Sequence, residues 1–320
     1  MRLVTAEGPA LERILEESHA IWSDGLTPGA YVRFNAAQMR TPWGARHLRR
    51  LALVDDAGDV VSSAKRYDLA FLLDGIPVRG VGIGAVFTPE PHRRRGHARA
   101  IVEEILHDAA GEGAGVALLF SEIDPAYYTA MGFVPVPRPE LLLRVTGKAG
   151  APAVLVRAGE ERDIPAVTAL ARGMASRHRF AVDPTEDFVR FSLSKKRLLA
   201  GLLPPDMLNV EFFIVEEGAG AVAFAILTAT SDDVVLEMCG DRDPSGARVG
   251  ALLQVLRART PAESVRSITA LLPPGWLPPQ LEIESAAPAR EVMMVRPLAG
   301  DVLASRLRSD DVLYWHGDRI

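Results

Sequence analysis

The sequence predicts an α/β protein built from two similar halves, each around a mixed β-sheet. An apolar run at Val81–Phe87 precedes a basic glycine loop, and apolar residues then recur at helical spacing over Arg99–Leu106. A second apolar run, Val116–Phe120, is typical of a buried strand. The chain of 320 residues exceeds one ordinary domain, and its 48% of apolar residues suffice for more than one core.

Local patterns predict each element that precedes the basic loop. Leu3–Thr5 fits a short strand, Ala10–Trp22 has the single apolar stripe of a helix, and Gly29–Met39 fits a second helix or turn. The acidic segment Asp55–Asp59 separates two apolar segments and therefore predicts a hairpin. Tyr67–Leu73 predicts a further strand.

Short segments of the second half repeat the first half at intervals of 150 to 161 residues. The paired segments are Leu3–Ala6 with Leu155–Ala158, Tyr31–Phe34 with Phe188–Phe191, Leu53–Val61 with Ile214–Val222, and Gly96 with Gly246. We therefore predict a first domain over residues 1–147, a degenerate copy over 152–298 and a tail over 299–320, with a linker at Gly147–Pro152. The similarity covers only a few short segments, and it also fits the general pattern of α/β chains.

Composition narrows the classes of function. A formal net charge of -5 argues against a general binder of nucleic acid or anionic membranes. The single cysteine, Cys239, suits a reducing compartment, and the first residues lack the apolar core of a signal peptide, so we expect a cytoplasmic protein. The sequence shows neither an apolar stretch of about 20 residues nor His and Cys spacing typical of a metal site. Abundant Ala, Arg and Pro with few Lys is typical of a GC-rich bacterial genome.

The loop between strand and helix is strongly basic. Arg93, Arg94 and Arg95 stand just before the helix, where the backbone dipole disfavours cations by roughly 0.3–1 kcal/mol each. Exposed amides at a helix N-terminus, together with a glycine that permits close approach, suit an anion such as phosphate. The loop has neither the glycine pattern of dinucleotide-binding folds nor the ending of a Walker loop. The alternative is a solvated basic turn.

The spacing within Arg93–Ala98, Arg-x-x-Gly-x-Ala, resembles the pyrophosphate loop of the GNAT family of acyltransferases. The resemblance implies that acetyl-CoA is the cofactor and that the loop and the strand before it bind its diphosphate and its thioester arm. The residues implied to contact acetyl-CoA are Val86, Thr88, Arg93, Arg94, Arg95, Gly96, His97 and Ala98.

A second motif, Tyr-x-x-x-Gly-Phe at Tyr128–Phe133, resembles the end of the GNAT core. It implies that Tyr128 lies near the coenzyme sulfur and protonates the leaving thiolate. The alternative is that Tyr127 and Tyr128 are packing residues with a hydroxyl at the rim.

Two longer segments, Gly82–Pro89 and Leu119–Tyr128, resemble fungal lysine N-acetyltransferases and their bacterial relatives. These residues face the coenzyme in that group, so the resemblance says little about the amine substrate. The tandem plan is similar to that of the mycobacterial survival acetyltransferases, in which the chain terminus reaches the active site. We therefore expect the tail, Val302–Ile320, to dock against the fold.

The general base is poorly defined by the sequence. Many GNAT proteins carry a Glu on the coenzyme strand, but Val81–Phe87 contains no carboxylate. Glu122 and Asp124 are nearest in sequence to Tyr128 and are the candidates, although Asp124 also precedes a proline as a turn former. A water chain and a carboxylate from the second half are the alternatives.

The second half differs from the first where the basic loop would be. Asp241 and Asp243 precede Gly246, and carboxylates in that place would repel a diphosphate. We therefore predict that the second half binds no coenzyme and instead shapes the acceptor pocket at the domain interface.

The resulting hypothesis is an enzyme that moves an acetyl group from acetyl-CoA to a primary amine of a small molecule or amino acid. A protein-lysine acetyltransferase is one alternative. A non-catalytic acyl-CoA sensor is another, because the coenzyme strand lacks a carboxylate. We expect no nucleic-acid or membrane partner, and the oligomeric state stays open, a homo-oligomer included.

Overall fold

Strands and helices alternate through the first half of the chain. The computed structural model describes residues 1–147, 151–259, 266–300 and 307–320. The elements of the first half are β1 (Arg2–Thr5), α1 (Gly8–Trp22), α2 (Pro28–Arg40), α3 (Gly44–His47), β2 (Leu48–Val54), β3 (Val60–Leu73), β4 (Ile76–Phe87), α4 (His97–Gly111), β5 (Val116–Ser121), α5 (Ala126–Thr129), β6 (Val134–Val136) and β7 (Pro139–Val145).

The second half repeats much of this order. Its elements are β8 (Leu155–Ala158), α6 (Ile164–Ala175), β9 (Phe180–Val182), α7 (Glu186–Leu202), β10 (Asn209–Glu217), β11 (Gly220–Ala229), β12 (Val234–Asp241), α8 (Ala247–Arg259), β13 (Ile268–Ala270), β14 (Leu281–Pro288), β15 (Val292–Pro297) and β16 (Val312–Leu313). The predicted linker at residues 147–152 and the first part of the predicted tail lie partly outside the described residues.

Local chemistry accounts for the first-half elements. The Asp55 carboxylate accepts the N–H groups of Ala57 and Asp59, which closes the predicted hairpin. The segment at 29–39, predicted as a helix or turn, is helix α2, whose N-terminus is capped by Thr27. β3 is one continuous strand rather than two, because buried Arg66 pairs with Asp68 and Glu112 and so does not interrupt it.

The described strands form two mixed sheets. The first has the order β1-β2-β3-β4-β5-β15-β6, with β9 and β16 beside β3, and the second has the order β14-β7-β13-β12-β11-β10-β8. Pairing is parallel between β4 and β5 and between β12 and β13, and antiparallel between most other neighbours. The predicted mixed α/β architecture with two similar halves is confirmed.

The sheets do not follow the boundary between the halves: β9, β15 and β16 belong to the first sheet and β7 to the second, and β15 and β7 are exchanged into the middle of the other half's sheet. β15 from the second half lies between β5 and β6, and β7 from the first half lies between β13 and β14. Met293 and Met294 on β15 are fully buried in the first sheet. Each sheet therefore includes a strand from beyond the predicted domain boundaries at 147 and 152, and those boundaries stay a prediction.

The first sheet is covered on both faces. Helix α4 packs on one face through the buried side chains Ile101, Val102, Ile105 and Leu106. The opposite face contacts the C-terminal segment, whose Tyr314 is buried in the same cluster as Phe71 and Phe180. Within the described ranges, no helix has both the length and the apolar character needed to cross a membrane.

Candidate active site

Strands β4 and β5 are paired at one end and separate at the other. Their parallel pairing runs from Gly80 opposite Val116 to Ile83 opposite Leu119, whereas β4 continues to Phe87 and β5 to Ser121. The backbones beyond Ile83 and Leu119 therefore have no partner in this ladder. The divergence opens a cleft between the two strands.

A β-bulge lies on β4 at this divergence. Ser63 pairs with Phe87 and Lys65 with Gly84, so Ala85 and Val86 oppose the single residue between Ser63 and Lys65. Ala85 has a φ of 46°, an unusual backbone conformation for a residue other than glycine. The bulge takes the backbone of Ala85 and Val86 out of the regular β3–β4 register and turns it toward the cleft.

The cleft has a volume of about 360 Å³, which suits a small molecule. Both halves of the chain contribute to its walls. The lining consists of Trp22, Asp24, Tyr31, Phe34, Asn35, Lys65, Tyr67, Ile83–Val86, Leu119–Ile123, Tyr128, Lys195, Glu291, Arg319 and Ile320.

The basic loop lies between β4 and α4. Gly96 caps α4 with a φ of 83°, and no side chain caps the first amides of the helix. Arg93, Arg94 and Arg95 are all exposed, and the Nε of Arg93 donates to the carbonyl oxygen of Thr88 at 3.1 Å. A Cβ at Gly96 would meet nothing within 4 Å, so the loop leaves open space above the helix N-terminus.

His97 and Thr88 flank this space. The Nδ1 atom of His97 is buried and has no hydrogen-bond partner among the described residues. The hydroxyls of Thr88 and Ser62 lie 3.1 Å apart, which ties the end of β4 to β3. Uncapped amides, an unpartnered buried ring nitrogen and exposed arginines fit the diphosphate of a coenzyme.

Tyr128 lies on α5 and faces the cleft. Its side chain is 8% exposed, and its ring contacts those of Tyr127 and Phe133 edge-on. Burial raises the pKa of Tyr128 to about 12, so the hydroxyl is protonated at neutral pH. The side chain lines the cleft, and its hydroxyl has no hydrogen-bond partner among the described residues.

The two carboxylates that the sequence predicts as candidate bases, Glu122 and Asp124, lie in different surroundings. Glu122 lines the cleft and lies 3.8 Å from the guanidinium of Arg290. Asp124 does not line the cleft, because its carboxylate accepts the N–H of Ala126 at the start of α5. This geometry favours the turn function that was the alternative for Asp124, and a role as base stays a prediction.

A carboxylate from the second half reaches the cleft through the exchanged strand. Val292, the first residue of β15, pairs with Ser121 at the end of β5, which places Glu291 beside Glu122. Burial raises the pKa of Glu291, and the Arg319 guanidinium at 3.7 Å opposes that shift. The sequence allowed for such a carboxylate but carried no signal that identified Glu291.

The C-terminal segment docks beneath the cleft. Val312–Trp315 is buried, and Ile320 lies against the two glycines Gly82 and Gly84 of β4. A Cβ at Gly84 would lie 3.0 Å from the carbonyl oxygen of Ile320, and one at Gly82 would overlap the Ile320 side chain. The glycines of this strand therefore make room for the docked segment.

The corresponding helix N-terminus of the second half is closed by its own residues. The Asp241 carboxylate accepts the N–H groups of Arg248 and Val249 at 2.9 and 3.1 Å. The ring of Trp276 covers Gly246, and its Nε1 donates to the carbonyl oxygen of Pro244 at 3.0 Å. A carboxylate thus occupies the place of an anionic ligand, and an indole covers the glycine.

Comparisons with known proteins agree with this geometry. Residues 29–136 match the family described as acetyltransferase (GNAT) domain. No curated protein matches the chain in sequence.

Solved structures share the fold at low sequence identity. A GCN5-related N-acetyltransferase from Kribbella flavida superposes with a TM-score of 0.69 at 17% identity, covering 92% of this chain and 70% of that one. One from Anabaena variabilis gives 0.68 at 11% identity, covering 93% and 73%. A tandem GNAT protein from the clavulanic acid biosynthesis pathway gives 0.54 at 13% identity, covering 93% and 99%. Residues 29–136 therefore match a GNAT acetyltransferase domain, and the chain shares its fold with GNAT proteins of known structure, a tandem GNAT protein among them.

Proposed function

We propose that this protein transfers an acetyl group from acetyl-CoA to a primary amine of a small molecule or amino acid. One observation carries the proposal: the basic loop and the open α4 N-terminus adjoin a cleft that contains the free, protonated hydroxyl of Tyr128. A loop for the coenzyme phosphates and an acid for its sulfur are the two groups that such a reaction needs on the donor side.

Donor binding rests on the loop and the bulged strand. Arg93, Arg94 and Arg95 offer charge-assisted hydrogen bonds to the diphosphate, and the amides of Gly96, His97 and Ala98 supply backbone donors. Val86 lines the cleft, and Thr88 lies two residues further along the chain, where its carbonyl oxygen accepts the Nε–H of Arg93.

The residues around the divergence supply the chemistry of transfer. Acetyl-CoA, when bound, contributes a thioester whose carbonyl carbon accepts the amine. A backbone N–H at Val86, released from the ladder by the bulge, polarises that carbonyl. The hydroxyl of Tyr128 gives its proton to the departing sulfur.

We assign removal of the amine proton to the carboxylates of Glu291 and Glu122. Both line the cleft on the β5 side, and the pKa of Glu291 is raised by burial and by the charge of Glu122. A carboxylate with a raised pKa is a better proton acceptor near neutral pH. Asp124 has no part in this assignment.

The acceptor class follows from the size of the cleft. A volume of about 360 Å³ walled by both halves admits an amino acid or another small amine more readily than a folded protein surface.

Release of free thiol from acetyl-CoA, measured with a panel of small amines, amino acids and lysine-containing peptides, tests the proposal. Release that depends on a small amine supports it. Coenzyme binding by calorimetry without release on any amine would replace it with a sensor module, and release with peptides alone would indicate a protein-lysine acetyltransferase.

A further inference from the structure

Lys65 places an unpaired ammonium in the cleft. It lies on β3 opposite Gly84, next to the bulge, and is half-buried. Its side chain makes no hydrogen bond and no ion pair with any residue that the structure describes. A half-buried charge without a partner is costly, which suggests that the site is completed by an anion.

Lys195 brings a second ammonium to the same cleft from helix α7 of the second half. Its Nζ donates to the carbonyl oxygen of Arg319 at 3.3 Å, which leaves further donors free. Burial and the neighbouring Lys196 lower the pKa of Lys195 to about 8, and burial also lowers the pKa of Lys65, with Arg50 and Lys195 adding to the effect. Neither lysine forms an ion pair with a carboxylate among the described residues, although the charge of Asp24 acts on both.

Lysine is rare in this chain but is concentrated in the cleft. The chain has four lysines among its 36 basic residues, and two of the four line this one cleft. Lysine presents a compact charge with donors that turn freely, which suits a single carboxylate on a small ligand.

The cleft also carries negative charge. Asp24 lies between α1 and α2, and Glu122 and Glu291 lie at the end of β5. Desolvation raises the pKa of Asp24, while Lys195 and Lys65 lower it, so these groups act on one another across the cleft. Separate carboxylates and ammonium groups facing one small space form a complement to a zwitterion.

We propose that the acceptor is an amino acid whose carboxylate binds Lys65 and Lys195 while its amine faces the carboxylates of the cleft. This inference rests on the proposed acetyl transfer and narrows its substrate to amines that carry a carboxylate. An amine without a carboxylate would leave both ammonium groups unpaired and would itself be repelled by them.

The test compares each amino acid with its carboxamide as acceptor, with lysine and lysine amide, and β-alanine and β-alanine amide, as the pairs. We expect the wild type to use the carboxylate form with a kcat/KM about tenfold higher, the scale of a charge-assisted hydrogen bond. Lys65→Met and Lys195→Met should each raise KM for the carboxylate form about tenfold and leave the carboxamide within about twofold.

Arg197→Gln is the matched control, since it removes a positive charge from an exposed position on the same helix outside the cleft. Arg197→Gln should leave kcat/KM unchanged for both the carboxylate and the carboxamide form. Equal kcat/KM for carboxylate and carboxamide in the wild type would overturn the inference, and so would equal losses for both substrates in the lysine variants.

A binding measurement separates this inference from the transfer proposal. If no amine releases thiol, the transfer proposal fails, and thermal unfolding of the coenzyme A-loaded protein then tests the inference by itself. A higher Tm with lysine but not with lysine amide, lost in Lys65→Met, supports the carboxylate site. The same Tm with both ligands overturns it.

Discussion

The side chain of Ile320 occupies the space that a Cβ atom at Gly82 would fill. The position of the Ile320 side chain therefore depends on the absence of a side chain at Gly82, although the two residues are remote in sequence. The same applies at Gly84, where an added Cβ would lie 3.0 Å from the carbonyl oxygen of Ile320. Glycine at these two positions of β4 thus makes room for the docked C-terminal segment.

Gly82→Ala should destabilise the protein by roughly 1–3 kcal/mol, the usual cost of overpacking a filled site. Unfolding in urea with fluorescence detection measures this change. Gly173→Ala on helix α6 is the control, because a Cβ there meets nothing within 4 Å and alanine favours a helix. A Gly82→Ala variant as stable as the control would show that the ends of the Ile320 and Leu69 side chains move aside.

Arg93→Ala and Arg95→Ala should each weaken coenzyme A binding about tenfold, because each removes a cation from the open helix N-terminus. Calorimetry at two salt concentrations measures the effect, which salt should reduce. Arg248→Ala is the matched control in the second half, where Asp241 already holds the helix amides. Unchanged affinity in both loop variants would remove the basis for the coenzyme site.

Tyr128→Phe should lower kcat about a hundredfold and change the Kd for the coenzyme little, because only the proton donor is removed. With a pKa of about 12, Tyr128 should hold its proton throughout the working range, and kcat should not fall between pH 8 and about 9.5 from its loss. Tyr127→Phe is the control, since Tyr127 is exposed outside the cleft. Equal kcat in both variants would argue for a packing role.

Asp318→Asn should stabilise the protein at pH 8 by at least about 1 kcal/mol and have little effect near pH 4. Burial raises the pKa of Asp318 to about 7, so the folded state holds a proton that the unfolded state loses near pH 4. Stability from this group is complete below pH 4 and is lost as the pH rises to about 7. Urea unfolding at both pH values measures it.

The control for Asp318 is Asp310→Asn at an exposed position, which should show no such dependence. Burial lowers the pKa of the neighbouring His316 to about 4. Its contribution to the stability of the protein therefore has the opposite pH dependence, and it is lost as the pH falls below about 6.5. The comparison at fixed pH between Asp318→Asn and wild type isolates the aspartate. If the wild type and Asp318→Asn had the same free energy of unfolding at pH 8, the prediction that the buried Asp318 carboxylate destabilises the protein when charged would be wrong.

Asp241→Ala should cost roughly 0.5–2 kcal/mol of stability, the scale of a lost helix cap, and leave coenzyme affinity unchanged. Urea unfolding and calorimetry measure the two quantities. A variant as stable as the wild type would contradict the capping role of Asp241.

Contiguous motifs made part of the site predictable. The residue order of Arg93–Ala98 indicates a loop before a helix, and that of Tyr128–Phe133 indicates a turn after a strand. Asp124 was a candidate because it is close to Tyr128 along the chain, whereas its carboxylate accepts the N–H of Ala126 and does not line the cleft. Sequence distance does not report where a side chain points.

The sequence by itself determined the two-part α/β plan, the anion loop and the acid candidate, because periodicity and turn chemistry act over a few neighbouring residues. The residues of the proposed acceptor side could be recognised only in the tertiary structure. Lys65, Lys195 and Glu291 come from three distant segments, brought to one cleft by the packing of α7 and the exchange of β15. Such contacts depend on which strand edges pair and which faces pack, and no local pattern records that choice.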